Sequence, residues 1–148
     1  MKTGVECMAR KPSNPNSPRY RARLGYEGEY SLLRKFVEVG EDGFYAIRTP
    51  GSGSGKMAKP DMLAVDGGKL IAVEVKSSSK SYAMLNSEQV SRLMEFVKKF
   101  EVKCPHCGER IHPRPVAAIR FVGRGWRFVD LSKHSPDKGL IVRWDGDG

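Results

Sequence analysis

KPDMLAVDGGKLIAVEVKSSSK, residues 59–80, contains the pattern that decides the fold. Two apolar runs flank Gly67 and Gly68, and a Gly-Gly pair in this setting predicts an antiparallel β-hairpin with a two-residue loop. The loop sets the register, so opposed residues can be counted back from it. The expected pairs are Asp66–Lys69, Val65–Leu70, Leu63–Ala72 and Asp61–Glu74. One face of the hairpin is apolar along its whole length.

The open end of this hairpin gathers charged residues on its other face. Side chains alternate along a strand, so Lys76 shares the face of Glu74, which Asp61 opposes. Opposed carboxylates repel each other, and a divalent cation with a preference for oxygen ligands, such as Mg²⁺, converts that repulsion into binding. The pattern therefore predicts a magnesium site, with Lys76 beside it to polarise an attacking water or to steady charge on a phosphate. The alternative is a surface salt bridge among the same three side chains.

The segment LGYEGEYSLLRKFVEVG, residues 24–40, has the periodicity of an amphipathic helix. At about 100° per residue, Glu29 falls near the middle of the apolar face. A carboxylate in that position is costly unless another group neutralises it. We therefore expect Glu29 to face the acidic end of the hairpin. The apolar face is predicted to consist of Tyr26, Tyr30, Leu32, Leu33, Phe36 and Val37.

Further elements follow from the same kind of periodicity. FYAIR (44–48) is a predicted strand, and residues 87–100 form a second helix with Ser87 as its N-cap. PVAAIRFV and WRFVDL are two strands around a turn at Gly123–Gly125. The predicted order is αβββαββ, a single mixed α/β domain in which helices flank a central sheet.

The chain divides into three parts on composition. Residues 1–23 are expected to be a disordered basic arm, which either lies along phosphates or is a solvated tail. Residues 24–131 form the domain, and residues 132–148 are a weakly patterned tail in which LIVRW is a candidate edge strand. Residues 101–114 form an insertion that contains a CxxC motif.

Charge and hydropathy narrow the class of protein. The formal net charge of +9 and the pI near 9.6 favour a polyanionic partner, above all nucleic acid, although a solubilising surface gives the same totals. No apolar run approaches the roughly 20 residues that span a bilayer, and the N-terminus has no segment like that of a signal peptide. We expect a cytoplasmic protein without a membrane partner.

Pro60-Asp61 followed by Glu74-Val75-Lys76, with the helical Glu29 before them, resembles the PD-(D/E)XK nuclease superfamily. Over about residues 23–131 the chain is similar to the archaeal-type Holliday junction resolvases. The similar segments, in the same order, are RLGYEGEYSLL, FYAIRTPGSGS, PDMLAVDGGKLIAVEVK, LMEFVKKF and VAAIRFVGRGWRFVDL. The resemblance implies a restriction-endonuclease-like fold and a homodimer that cuts two opposed strands of a four-way DNA junction. It also implies Mg²⁺ as the cofactor, with Mn²⁺ as a substitute.

The resemblance assigns roles to residues of the hairpin and of the first helix. Glu29, Asp61 and Glu74 would bind Mg²⁺, with the carbonyl group of Val75 as a further ligand. Lys76 would stabilise the transition state. Glu29, Asp61, Glu74 and Lys76 are thus the expected catalytic centre.

A second set of implied roles concerns DNA and the partner subunit. Arg48 would contact the scissile region, and the family has a functional serine in the loop that follows it. Ser52 fits by its distance from Arg48, but Ser54 remains open because this loop is longer than the family pattern. Lys56 and Lys59 of the same loop are expected to order on the junction.

Two aromatic positions match the family pattern, and one aromatic residue departs from it. Phe96 and Phe100 match the helix that helps to build the dimer surface, with core packing as the alternative for Phe100. Tyr30 stands where the family commonly has a basic residue. Its phosphate contact is therefore either missing or supplied by Arg23 or Arg34.

Cys104-Pro-His-Cys107-Gly has the spacing and the following glycine of a zinc knuckle. His112 is the nearest candidate for a further Zn²⁺ ligand, and Cys7 is another. The alternatives are a reduced surface turn or a local disulfide. The family pattern lacks this element.

Two other functions remain open on the sequence alone. One is a different nuclease of the superfamily, acting on duplex or flap DNA. The other is a non-catalytic nucleic-acid-binding module that retains the fold.

Overall fold

The computed structural model describes residues 17–51 and 55–145. A five-stranded sheet in the order β1-β2-β3-β7-β8 lies at the centre, with β3 and β7 parallel and the other neighbours antiparallel. This mixed sheet, with one helix packed on each face, confirms the predicted α/β class. The elements in chain order are α1 (Pro18–Val37), β1 (Phe44–Arg48), β2 (Met62–Asp66), β3 (Lys69–Ser78), β4 (Tyr82–Leu85), α2 (Ser87–Lys99), β5 (Val102–Lys103), β6 (Arg110–Ile111), β7 (Arg114–Phe121), β8 (Gly125–Asp130) and β9 (Leu140–Arg143).

The β2–β3 hairpin has the predicted register, with Asp66 opposite Lys69 and Leu63 opposite Ala72. Gly67 and Gly68 have φ angles of 60° and 81°, the left-handed values that a two-residue loop of this kind requires. Because β2 begins at Met62, the ladder ends at Met62–Val73, one pair short of the Asp61–Glu74 pair expected from the sequence.

Each face of the sheet has its own apolar core. On the α1 side, Leu32 is 1% exposed and packs against the apolar face of the hairpin. On the α2 side, Val90 and Leu93 pack against Ala72 of β3 and the inner residues of β7. Burial of one such leucine side chain stabilises the fold by about 2 kcal/mol. The two cores thus fix the helices to opposite faces of the sheet, α1 over β1, β2 and β3 and α2 over β3 and β7.

Helix α1 begins earlier than the sequence analysis predicts. The hydroxyl group of Ser17 accepts a hydrogen bond from the amide of Tyr20 at 3.1 Å, and Pro18 occupies the first turn, where no intrahelical N–H bond is lost. Residues 18–23 are therefore helical rather than part of a disordered arm. Residues 1–16, the rest of that arm, lie outside the described residues.

The buried face of α1 also differs from the prediction. Gly28 and Leu32 are its buried residues, whereas Tyr26 and Val37 are 55% and 42% exposed. Apolar residue type alone does not identify Gly28 as a buried position of the helix.

The N-cap of α2 is Asn86, so the prediction of Ser87 was wrong by one residue. The side chain of Asn86 accepts from the amide of Gln89 at 2.8 Å, and the side chain of Gln89 accepts from the amide of Asn86 at 3.0 Å. This reciprocal capping box needs Glu or Gln three residues after the cap, and Val90 stands at that distance from Ser87. At the other end of the helix, Phe100 is 38% exposed and stacks on Phe96, with the ring centroids 5.0 Å apart. Phe100 is thus not packed in the core.

Four short strands, β4, β5, β6 and β9, lie outside the central sheet, and the predicted order αβββαββ contains none of them. The first four residues of LIVRW form β9 as expected, but this strand pairs with β4 rather than with an edge of the main sheet. β5 and β6 make a small hairpin in the insertion. No helix in the described ranges combines the length and the apolar character needed to cross a membrane.

Candidate active site

A close approach of α1 to β3 positions the helical part of the site. Gly28 is buried, and a Cβ atom at this position would lie 2.4 Å from Oγ of Ser77. The hydroxyl group of Ser77 donates to the carbonyl of Leu24 at 3.0 Å and joins the strand to the helix. Gly28 therefore allows the contact that brings Glu29, the next residue, to the sheet. A glycine in the middle of a helix is the sequence signal for such an approach.

The strand arm of the site consists of Asp61, Glu74 and Lys76. Asp61 is only 8% exposed, and its Oδ2 accepts a hydrogen bond from the amide of Val75 at 2.8 Å. Burial, followed by the neighbouring Asp61, raises the pKa of Glu74 to about 9, while Lys76 acts in the opposite direction. At neutral pH Glu74 thus retains its proton. An exposed surface salt bridge is excluded by this burial.

The helix arm of the site consists of Glu29, Arg48, Tyr26 and Tyr30. Nη2 and Nε of Arg48 donate to Oε2 of Glu29 at 2.6 and 3.1 Å. The guanidinium Cζ lies 4.7 Å from the ring centroid of Tyr30 and 5.3 Å from that of Tyr26, within the range of cation–π attraction. Burial raises the pKa of Glu29, and the hydrogen bond from Arg48 opposes that rise.

The two arms interact, but they do not form a closed set of three ligands. Asp61 raises the pKa of Glu29, and Glu29 raises that of Glu74, so the three carboxyl groups lie within electrostatic reach of one another. No group of three or more Asp, Glu, His or Cys side chains in the described part of the chain is arranged to hold a metal ion. Asp61 and Glu74 are neighbours. The carboxylate of Glu29, the third predicted ligand, is instead hydrogen-bonded to Arg48.

The donor chemistry nevertheless fits a divalent cation. Asp61 and Glu74 supply oxygen atoms, the ligands that Mg²⁺ prefers. Desolvation, followed by the neighbouring Asp61, raises the pKa of the half-buried Glu74, so this group keeps its proton at neutral pH, and a cation at this place would replace that proton.

The loop between β1 and β2 is held by a residue that the sequence analysis did not select. Nη2 of Arg92, on α2, donates to the carbonyl groups of Gly55 and Met57 at 3.2 and 3.0 Å. Lys59 donates to the carbonyl of Pro50 at 3.4 Å, and Lys56 is exposed. Ser52 and Ser54, the candidate serines, lie outside the described residues.

A cleft of about 450 Å³ adjoins the helix arm. Arg120 of β7 lines it, and Nη1 of this residue is buried without a hydrogen-bond partner in the described part of the chain, 3.9 Å from Oε2 of Glu27. Arg34 lines the same cleft, whereas Arg23 forms an ion pair with Glu27 at 2.8 Å. Arg120 was missed because its position depends on the parallel pairing of β7 with β3. The cleft is lined by Tyr26, Glu27, Tyr30, Ser31, Arg34 and Arg120.

The structure does not bring together the predicted zinc ligands Cys104, Cys107 and His112. Nδ1 of His112 lies 2.8 Å from the carbonyl oxygen of Val97, and Nε2 lies 3.3 Å from Oε1 of Glu101. Nδ1–H of the imidazole thus donates to Val97, and Glu101 lies beside Nε2. Cys104 and Cys107 remain together as free thiols in the turn between β5 and β6, and Cys7 lies outside the described residues.

The sheet and its acidic hairpin define the class of this chain as a restriction-endonuclease-like fold. The structure of Archaeoglobus fulgidus Hjc, a Holliday junction resolvase from an archaeal hyperthermophile, superposes with a TM-score of 0.59. The match covers 80% of this chain and 83% of that one at 24% sequence identity, which supports the fold alone.

Comparison with known sequences identifies the family. The model of the archaeal Holliday junction resolvases (Hjc) matches residues 21–141, and this chain belongs to that family. A crossover junction endodeoxyribonuclease of Sulfolobus islandicus rod-shaped virus 1 is 34% identical over 73 residues, 49% of this chain and 60% of the relative. Crossover junction endodeoxyribonuclease Hjc of Archaeoglobus fulgidus is 29% identical over 95 residues, 64% of this chain and 62% of the relative.

A third relative is similar over a comparable part. Crossover junction endodeoxyribonuclease Hje of Sulfolobus acidocaldarius is 36% identical over 74 residues, 49% of this chain and 53% of the relative. The chain thus spans less than two thirds of the length of these relatives.

Proposed function

We propose that this protein is a structure-selective endonuclease that resolves four-way DNA junctions by hydrolysis of phosphodiester bonds, with Mg²⁺ as its cofactor. The observation that carries the proposal is the pair of buried Asp61 and half-buried Glu74, with Lys76 beside it and Glu29 within electrostatic reach. A fold maintained only for stability gains nothing from two adjacent carboxyl groups that are partly or fully removed from solvent. Membership of the resolvase family supports the choice of substrate.

Asp61 and Glu74 would hold the cation, with Glu29 and the carbonyl of Val75 as further ligands. The cation would neutralise phosphate charge and act as a Lewis acid, and Mn²⁺, with similar ligand preferences, is the expected substitute. The ammonium group of Lys76 would stabilise negative charge that develops on the phosphate in the transition state. The hydrogen bond from the amide of Val75 keeps the Asp61 carboxylate in place before substrate arrives.

Basic residues around the helix arm are suited to the phosphates that flank the cleavage point. Arg48 is fixed by Glu29 and by two tyrosine rings, so it loses little side-chain entropy on contact with DNA. Arg34 and Arg120 in the adjoining cleft are candidates for the contact that a basic residue at position 30 would make. Lys56 and Lys59 extend the basic surface along the loop that Arg92 holds.

A homodimer is the proposed assembly, because junction resolution requires two cuts on opposed strands. Tyr45 and Ile47 on β1 are 58% and 55% exposed, and they alternate with Ala46, which faces the α1 core. They therefore lie on the α2 side of the sheet, the side that also carries the stacked Phe96 and Phe100. Exposed apolar residues of this size favour a protein–protein contact.

The proposal is tested by cleavage of a four-way junction, a flap and a linear duplex in Mg²⁺. The native protein should cut the junction at symmetric positions, and Glu74→Ala should reduce the rate by roughly 10³-fold, because several kcal/mol of charge stabilisation are lost. Glu41→Ala, at an exposed position, is the matched control and should cut normally.

Each of the other results would change the function. Equal cleavage of duplex or flap by the native protein would favour a different nuclease of the superfamily. Junction binding by both native protein and Glu74→Ala, without cleavage in Mg²⁺ or Mn²⁺, would indicate a binding module.

A further inference from the structure

One side chain of α2 fixes the backbone on both sides of a lysine in the loop between β1 and β2. Nη2 of Arg92 donates hydrogen bonds to the carbonyl groups of Gly55 and Met57, at 3.2 and 3.0 Å. These two residues flank Lys56 in the sequence. Gly55 has a φ of +84°, a left-handed conformation that glycine adopts at little cost. Arg92 therefore determines where the backbone of Lys56 lies.

The two lysine side chains of this loop differ in their contacts. Nζ of Lys59 donates to the carbonyl of Pro50 at 3.4 Å, across the base of the loop. Lys56 is exposed, and its ammonium group makes neither a hydrogen bond nor an ion pair with the described part of the chain. An ammonium group on a fixed backbone loses less conformational entropy on binding than one on a mobile backbone. Of the two lysines, Lys56 is thus the one prepared for an external anion.

The cleft between this loop and α2 has the charge that a phosphate group requires. It has a volume of about 490 Å³, and its charged lining residues are Lys56, Lys59, Lys99 and Glu95. The carboxylate of Glu95 is paired with Lys99 at 2.8 Å, so the two loop lysines give the lining a net positive charge. Arg92 is not among the lining residues, so it acts on the loop backbone rather than on a ligand in the cleft.

We propose that Arg92 is a positioning residue for DNA binding, which holds Lys56 where its ammonium group contacts a phosphate of the branched DNA. This inference rests on the proposed function, which supplies the polyanion. The guanidinium group donates to two backbone carbonyls, so its effect on affinity passes through the lysine between them. Arg92 should therefore matter for DNA binding only while Lys56 is present.

The first measurement is limited digestion with trypsin, which needs neither DNA nor metal. Within residues 49–60 the trypsin site is Lys56, because the bond after Lys59 precedes a proline and resists the enzyme. Arg92→Ala should be cut after Lys56 about tenfold faster than the native protein, since two hydrogen bonds that close the loop are lost. Lys98→Ala, at an exposed position of the same helix, is the matched control and should be cut at the native rate. Urea unfolding of each variant checks that the rest of the domain is intact.

The second measurement is the affinity for a four-way junction in a chelator, where metal-dependent cleavage does not occur. Lys56→Ala should weaken binding roughly eightfold at 0.1 M salt and lower the slope of log K against log salt by about 0.9, the values for one phosphate contact. Arg92→Ala should weaken binding by a similar factor. Arg92→Lys should weaken it less, because its ammonium group still has donors for the loop carbonyls. In the Lys56→Ala background, Arg92→Ala should change neither the affinity nor the slope.

Several results would overturn the inference. Digestion of Arg92→Ala after Lys56 at the native rate would show that Arg92 does not hold the loop. A further loss of affinity and slope in the double variant would make Arg92 itself a phosphate contact. Native affinity in Lys56→Ala, or no junction binding by the native protein, would remove the contact to be positioned. The proposed function fails on a different observation, because junction binding without cleavage in Mg²⁺ would contradict the endonuclease and leave both measurements valid.

Discussion

The strand arm and the helix arm of the site handle their carboxyl groups in opposite ways. In the strand arm, burial and the adjacent Asp61 raise the pKa of Glu74 to about 9, and the ammonium group of Lys76 offsets only part of that rise. In the helix arm, Glu29 has its own cation, because Arg48 donates two hydrogen bonds to one carboxylate oxygen. Both arms hold carboxyl groups that are at least partly removed from solvent. Only in the helix arm does a cationic side chain hydrogen-bond directly to the carboxylate.

This difference indicates where a divalent cation would bind first. A cation at Asp61 and Glu74 has only to replace the proton on Glu74, whereas recruitment of Glu29 has to compete with the guanidinium group of Arg48. The strand arm is therefore the expected primary binding position. Glu29 would bind the cation only at the expense of its hydrogen bonds with Arg48. The following predictions test this asymmetry.

The largest expected effect is a loss of stability with rising pH in the metal-free protein. Folded Glu74 keeps its proton up to about pH 9, whereas the unfolded chain releases it near the ordinary value of 4.5. Between these values the folded state binds more protons, so a rise in pH favours unfolding, by up to about 1.4 kcal/mol per pH unit. Urea unfolding in a chelator at pH 6, 7, 8 and 9 measures this slope.

Glu74→Gln removes the ionisable group and should flatten that slope, while the exposed Glu41→Gln should leave it unchanged. Equal slopes for native protein and Glu74→Gln would mean that the pKa of Glu74 is not raised in the folded protein, and the contrast between the arms would disappear.

A second prediction concerns the proton that the cation replaces. Binding of Mg²⁺ at pH 7 should release about one proton, and the apparent affinity should rise by up to roughly tenfold per pH unit below pH 9. Titration calorimetry in two buffers of different ionisation enthalpy counts the protons. Glu74→Gln should release none, and a native protein that also releases none would contradict the assignment of the proton to the strand arm.

The strand arm could be predicted from the sequence because its determinants are local. Gly67 and Gly68 set the hairpin register, and alternation then placed Asp61, Glu74 and Lys76 at one end. The Ser17-Pro18 start of α1 was also a local signal, but the polar composition around it outweighed the capping pattern.

The helix arm and its surroundings depend on contacts between distant residues, which periodicity does not encode. The approach at Gly28 depends on Ser77, and the position of Arg120 depends on its pairing with Ser77 across parallel strands. The ion pair of Glu29 with Arg48 joins a helix to a strand 19 residues away in sequence. Similarly, β4 and β9 are only four residues long, and no turn connects them directly. Their pairing could therefore not be predicted from a turn sequence.

A third prediction tests how α1 is held against β3. Gly28→Ala places a Cβ atom 2.4 Å from Oγ of Ser77 and should destabilise the protein by about 1–3 kcal/mol, because the helix has to move away from the strand. Gly25→Ala in the same helix is the matched control. Its added Cβ meets nothing within 4 Å, so it should stabilise by about 0.5–1 kcal/mol through helix propensity. Chemical denaturation measures both.

The double variant Gly28→Ala/Ser77→Gly removes the clashing atom and should recover part of the loss. If Gly28→Ala proved as harmless as Gly25→Ala, the close approach would not be what positions Glu29.

The smallest expected effect is the coupling within the helix arm. A double-mutant cycle with Glu29→Gln and Arg48→Ala, in the absence of metal, should give a coupling energy of about 1–2 kcal/mol, because the pair is partly buried and doubly hydrogen-bonded. The Glu101–Arg110 pair, whose side chains are 36% and 67% exposed, is the matched control and should give less than about 1 kcal/mol.

Saturating Mg²⁺ should reduce the Glu29–Arg48 coupling, since a cation that recruits Glu29 competes with the guanidinium group. A coupling unchanged by Mg²⁺ would leave Glu29 with Arg48 and restrict the cation to Asp61 and Glu74.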